Sequence, residues 1–221
     1  MKKVIFILLI IFVMGVYVLY VLNYIKHKSY TNEYFGIEVV ESTIDYDHDG
    51  IGDYQDILDG AKQTVINRVE YKSAYYEGGY PPEDEGVCTD VIWRSLNNAG
   101  YDLKALVDAD IAANIEAYPR IDGKPDPNID FRRVPNLHVF LERNTVSLTT
   151  DIRQTEEWMP GDIVIFSDNH IAIVSDVRNS KGIPFIIHNG NQYRREDDTL
   201  EVLDLIKGVT GHYRFELKTN L

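Results

Sequence analysis

The sequence predicts an α+β fold: helices in the first half of a globular region pack on an antiparallel sheet from the second half, behind one transmembrane helix. Three features carry this. Residues 4–22 form an uncharged apolar run, residues 53–111 repeat apolar side chains at helical spacing, and after Trp158 the chain breaks into short Val-, Ile- and Phe-rich runs bounded by turn residues. Helices first and strands afterwards argue against alternating βαβ units.

Taken in order, Met1-Lys2-Lys3 precedes VIFILLIIFVMGVYVLYVL, followed by Lys26, His27 and Lys28. About 20 apolar residues at 1.5 Å each match a hydrocarbon core of about 30 Å. Small residues for a cleavage site are sparse and Tyr17, Tyr20 and Tyr24 suit a membrane interface, so residues 1–25 read as an uncleaved signal-anchor. A short basic start ahead of a long acidic region favours placing the domain outside the cell membrane. Residues 26–42 read as a polar linker and residues 43–221 as one domain.

Within that domain Tyr54, Ile57, Leu58, Ala61, Val65 and Val69 mark one amphipathic helix. A second begins at Cys88 and ends at Gly100, and a third follows Asp102 as N-cap with Leu103, Leu106, Val107 and Ile111. Residues 118–135 are rich in Pro, Gly and Asp and predict an extended loop, with a short helix over residues 137–143. DIVIF, HIAIVSDV, PFIIHN and GHYRFEL predict strands.

The net charge of −13 argues against nucleic acid as a partner, since long-range attraction to phosphate is missing. One cysteine in 221 residues excludes an internal disulfide.

DYDHDGIGDYQD, residues 45–56, has the layout of a twelve-residue calcium loop. Asp45, Asp47 and Asp49 offer side-chain oxygens, Gly50 the sharp turn and Ile51 a carbonyl. Asp53 occupies position nine and Asp56 the last position. Asp56 is shorter than the usual Glu, and Gly52 stands where a hydrophobic residue is normal. The expected cofactor is therefore a structural calcium ion, and no organic cofactor is expected.

Cys88 opens a helix, where unsatisfied N–H groups and the positive helix end favour a thiolate nucleophile. Of six histidines, His170 opens the run HIAIVSDV and His188 closes FIIH, so neighbouring antiparallel strands would bring a base and its orienting group together. Asn189 is the alternative orienting group. His212 reads as structural, while His27 and His48 lie beside the apolar run and in the acidic loop, and His138 carries no role. Tyr76 or Tyr80 would line a pocket or point a hydroxyl at the oxyanion, and Arg132 and Arg133 would bind a substrate carboxylate or pair with Asp126 and Asp130. A zinc site on the Cys and His residues would need Asp90 or Asp162 as a fourth ligand and is not favoured.

These residues carry a resemblance. Gly78-Gly79, Gly86-Val87-Cys88-Thr89-Asp90, Pro160 to Phe166, His170 to Ile173 and Ile186-Ile187-His188 follow the order of NlpC/p60-type cysteine peptidases. GVCTDV, NIDFRRV, GDIV, HIAIVSD, IHN and GHYR resemble more closely the family catalogued as DUF 1287, over about residues 45–215. The resemblance implies a papain-like core with Cys88 as nucleophile, His170 as base and His188 as orienting residue. It also implies an extended turn around residues 179–184, because the two histidines are further apart than in the compact peptidases. Peptide or peptidoglycan-type substrates fit such a tethered amidase or peptidase. A non-catalytic wall- or peptide-binding module is the competing expectation.

Overall fold

The computed structural model describes residues 2–21, 23–121 and 123–218. Met1 and Leu22 of the expected anchor and the last three residues of the expected domain lie outside this set. Helix α1 (Lys2–Val21) is long and apolar enough to cross a membrane, and none of it is buried. The following segment does not stay detached as the linker reading expects. Strand β1 (Tyr30–Thr31) pairs with residues 177–178, and Asn32 receives the Nε–H of Arg178 at 2.5 Å. Arg178 is fully buried and also donates through Nη1 to the carbonyls of Thr155 and Gly182 and through Nη2 to that of Trp158, so it ties this segment to the sheet.

The helical half contains α2 (Asp53–Ile66), α3 (Cys88–Asn98), α4 (Leu103–Ala113) and α5 (Val134–Asn144). Asp102 caps α4 by accepting the Ala105 N–H at 2.9 Å. Between α2 and α3, β2 (Glu70–Tyr71) and β3 (Glu85–Gly86) form a small parallel pair. β4 (Val146–Ser147), β5 (Ile163–Phe166), β6 (His170–Arg178), β7 (Pro184–Ile187), β8 (Glu196–Asp197) and β9 (Val209–Arg214) make the main sheet. Its order is β4-β9-β5-β6-β7-β8, with β1 also on β6, and every pairing is antiparallel. A further helix, α6 (Leu200–Lys207), follows β8.

Both faces of the sheet are covered. Ile163, Ile165, Ile171, Ile173 and Ile187 pack with Ile57, Val91, Ile92, Leu96, Val107 and Leu137 of the helical layer. Val164, Phe166, Ala172, Val174 and Ile186 pack with Ile152, Trp158 and Leu200. Burial on both sides explains why DIVIF and HIAIV read as continuous apolar runs rather than alternating ones. The segment expected as an extended loop is pulled inward: Asp130, Phe131 and Arg132 form a buried 3-10 turn. Gly79, at φ 89°, lets it in, because a Cβ there would sit 2.8 Å from the Phe131 ring.

Candidate functional site

Cys88 is the first residue of α3, and the turn before it is fixed by Asp90. The fully buried Asp90 carboxylate accepts the Val87 N–H at 2.7 Å, the Trp93 indole N–H at 2.9 Å, and Arg132 Nε–H and Nη2–H at 2.7 and 2.8 Å. Arg132 is therefore committed to the scaffold and not to a substrate carboxylate. Arg133 donates to Asp130 at 3.1 Å. Tyr80 donates to Asp102 at 3.3 Å and packs edge-on against Trp93 and Phe131, while Tyr76 lies under the Arg132 guanidinium. Asp162, the other carboxylate considered for zinc, is held by Arg214 at 2.8 and 2.9 Å.

His170 is placed by a tight hairpin. Phe166 pairs with His170, so three residues make the connection; Ser167 and Asp168 adopt φ of 46° and 54°, both left-handed, and the Asn169 N–H closes the turn on the Phe166 carbonyl at 3.1 Å. The next residue, Ile171, gives its backbone N–H to the Cys88 sulfur. The sulfur is thus seated at the strand end that His170 begins.

His170 and His188 are brought together: His170 Nε2 and His188 Nδ1 lie 2.6 Å apart, with ring centroids at 4.8 Å and 76° between planes. Their separation along the chain is absorbed by the nine residues of β6 and a tight turn closed by the Gly182 N–H on the Asn179 carbonyl, not by the extended turn expected. His188 Nε2 faces Asp197 Oδ1 at 3.2 Å, and the Thr199 hydroxyl donates to the same oxygen. His170, His188 and Asp197 are all buried. A Cβ at Gly190 would meet His170 Cε1 at 3.2 Å, so a glycine there leaves room for the ring.

These contacts define a tautomer. Asp197 accepts, so His188 carries its proton on Nε2. His188 Nδ1 then accepts from His170 Nε2–H, which leaves His170 Nδ1 with a lone pair. Asp197 and Thr199 went unrecognised in the sequence, where Asp197 is the middle one of three adjacent acids, Glu196, Asp197 and Asp198, after a polar stretch. The signal was its position in the strand after His188. Asn189 does not orient the base as the alternative reading has it. Its side-chain amide donates to the Gly86 carbonyl at 3.0 Å, with Val69 and Glu70 carbonyls at 3.3 and 3.4 Å, and clamps the turn before Cys88.

The electrostatics overturn the expected thiolate. Burial pushes the Cys88 thiol up to about 11, although backbone N–H groups of Ile171, Thr89 and Cys88 pull the other way. Some of the residue reaches the surface. Burial, followed by the neighbouring His188 and Lys207 charges, pushes His170 down to about 3. The resting pair is a thiol beside a neutral imidazole.

His212 is structural: its ring stacks on Trp158 at 3.8 Å, donates to the Thr149 carbonyl at 2.7 Å and faces Asp162 at 3.2 Å. His138 contacts Asp168, and His27 pairs with Asp198 at 3.1 Å. A cavity of about 560 Å³ lined by Lys26, His27, Arg68, Arg194 and Arg195 has Asp197 in its wall but not Cys88 or His170.

In the acidic loop, side-chain oxygens of Asp45, Asp47 and Asp49 come within 4.8 Å of one another. Asp53 departs from the expected ligand set, since it accepts the Tyr46 N–H at 2.9 Å and the Tyr101 hydroxyl at 2.5 Å. Asp56 lies buried at the start of α2, and burial with the Asp49 and Asp47 charges pushes its carboxyl up to about 6.

The family described as Domain of unknown function (DUF1287) matches residues 58–215, which takes in Cys88, His170, His188 and Asp197. The chain belongs to the DUF1287 family. A similar curated protein is the uncharacterized protein YijF of Escherichia coli (strain K12), 38% identical over 172 residues, covering 73% of this chain and 82% of YijF. No solved structure matches this DUF1287 chain.

Proposed function

We propose that this DUF1287 protein is a membrane-anchored, extracytoplasmic cysteine hydrolase with a papain-like, NlpC/p60-type core that cleaves amide bonds in cell-wall peptides. The observation that carries the reading is the buried hydrogen-bonded row His170–His188–Asp197, which starts one residue from the N–H that holds the Cys88 sulfur. Such a row is what a base needs to present one lone pair in one direction. The apolar α1 and the two lysines that open it, Lys2 and Lys3, support the anchor and its orientation.

In this mechanism the thiol is deprotonated only as it attacks. The Cys88 S–H proton passes to His170 Nδ1 while sulfur bonds to the amide carbon, and backbone N–H groups at the α3 start steady the oxyanion. His170 returns that proton to the leaving nitrogen as the C–N bond breaks, giving a thioester and a free amine. Water then attacks the thioester, loses a proton to His170, and the carboxylic product leaves as the proton returns to sulfur. The imidazolium formed in each half is stabilised through His188 by Asp197.

The decisive experiment incubates the full chain in detergent with purified wall-peptide fragments and follows released amines by mass spectrometry, with Cys88→Ala as control. Release that needs Cys88 supports the proposal; release equal in both proteins defeats it. A second reading, a non-catalytic wall- or peptide-binding module, is favoured by the protonated thiol and the depressed His170. It expects fragment binding without release, unchanged in Cys88→Ala.

A further inference from the structure

The cavity of about 560 Å³ beside Asp197 takes no part in the proposed chemistry, since neither Cys88 nor His170 lines it. Resting on α1 as a membrane anchor and not on the hydrolase reading, we propose that this cavity holds the phosphate of an anionic phospholipid headgroup from the leaflet where α1 ends. Its size falls within the roughly 300–1,000 Å³ of small-ligand sites.

Its place in the fold is the first observation. Lys26 and His27, just past the end of α1, form part of the wall, and the chain here is fastened to the domain. Arg194 donates from Nε to the Asn23 carbonyl at 2.9 Å and from Nη2 to the Tyr24 carbonyl at 3.2 Å. The His27 ring reaches the Tyr20 carbonyl at 2.7 Å and Asp198 at 3.1 Å. The cavity is therefore held at the level where α1 would leave the hydrocarbon. Tyr193, also in the wall, stacks on Tyr24 with centroids at 4.9 Å, and both rings are exposed, as suits an aromatic pair in a headgroup layer.

Charge is the second. In a chain of net charge −13, the wall gathers Lys26, Arg68, Arg194 and Arg195. Arg195 donates to the carbonyls of Val69, at 2.8 Å, and of Gln192, so like Arg194 it is hydrogen-bonded without being neutralised. Lys26 and Arg68 are exposed and have no hydrogen bond or ion pair among the described residues. Of the acids in the wall, Glu196 pairs with Lys62 at 2.5 Å, and Asp197 faces His188 and accepts from Thr199, so the balance stays positive. A phosphate diester meets that balance, because its oxygens accept from several cations at once.

Arg68 is the third. It follows the α2 cap Asn67 at φ 50°, with its N–H on the Val65 carbonyl at 3.3 Å and the Val69 N–H on the Thr64 carbonyl at 3.4 Å. Such a left-handed helix end favours Gly or Asn. A long cation held there at a backbone cost is accounted for when its guanidinium has an anion to bind.

The test is native mass spectrometry of the full chain in detergent, titrated with dioleoyl phosphatidylglycerol or with dioleoylglycerol, which has the same chains and no phosphate. Wild type should retain the phospholipid and not the diacylglycerol. Lys26→Gln/Arg68→Gln should bind the phospholipid about 25-fold more weakly, at about fivefold per cation. Lys124→Gln/Arg153→Gln, which removes the same charge outside the cavity, should bind it as wild type does. All four side chains are exposed, so both variants keep the fold. Equal weakening in the two variants, or equal retention of the two lipids, overturns the proposal. Glycerol 1-phosphate that displaces the phospholipid at equal concentration assigns the cavity to a free anion and overturns the lipid as its occupant. Co-flotation of wild type with phosphatidylcholine vesicles reads the anchor separately. No flotation overturns α1 as an anchor and this site with it, whereas flotation with phospholipid binding unchanged in Lys26→Gln/Arg68→Gln removes the site alone.

Discussion

The Cys88 proton sits on sulfur because burial outweighs three backbone N–H groups and a helix end. Iodoacetamide at pH 7 should therefore alkylate Cys88 on the order of 100-fold more slowly than free cysteine, with the rate climbing as pH rises toward 11. A rate equal to that of free cysteine would show a thiol with an ordinary pKa and refute this. Asp197 acts at one remove, as a positioning residue. In Asp197→Asn the amide can donate to His188 and reverse the tautomer row, so kcat should fall about 10²–10⁴-fold with little change in KM and a shifted pH profile, whereas Asp197→Glu should recover part of the rate. The cysteine and both histidines were legible because helix start and strand ends show in the sequence. Asp197 was not, since the three adjacent acids Glu196, Asp197 and Asp198 differ only in which one faces inward. The burial of the sulfur also escaped, because it depends on β6 lying over the α3 start.

At the scale of elements, α3 is locked by a long-range pair that no local pattern reveals. Asp90 looks like an ordinary first-turn acid and Arg132 like a loop cation, yet they form a bidentate pair with side-chain exposures of 0% and 2%. Asp90→Ala leaves the Arg132 charge buried and frees the Val87 N–H, so urea unfolding should show a loss of about 3–5 kcal/mol. A change under about 1 kcal/mol would mean that the pair is dispensable. The main helices were legible from their spacing, with ends shifted by a few residues; α2, for instance, stops at Ile66 instead of reaching Val69. The two-residue strands β1, β4 and β8 were invisible, because so short a ladder leaves no periodicity. α6 was missed for a related reason: only Leu200 is buried, and Val202, Leu205 and Ile206 face outward, so no inward stripe marks it.

For the whole molecule, the buried row should write itself into acid stability. His170 is held neutral in the fold, down to about 3, by burial and by facing His188 and Lys207, whereas the unfolded chain protonates it near the ordinary value of 6.5. Between these values the unfolded state binds the extra proton. Stability from this group is thus complete above about 6.5 and is lost as pH falls toward 3, at about 1.4 kcal/mol per unit of depression. Asp56 works in the opposite sense: raised to about 6, it loses stability as pH rises from 3.8 through 6, so the overall curve blends the two. Comparing wild type with His170→Gln isolates the histidine, since the amide still donates to His188 but cannot titrate. Denaturant unfolding of both proteins at pH 7 and pH 4.5, in chelator, should show wild type losing more stability on acidification than the variant, by a margin of kilocalories. Equal losses would mean that His170 meets solvent well enough to protonate within the fold, and the tightly held base required by the mechanism would go with it.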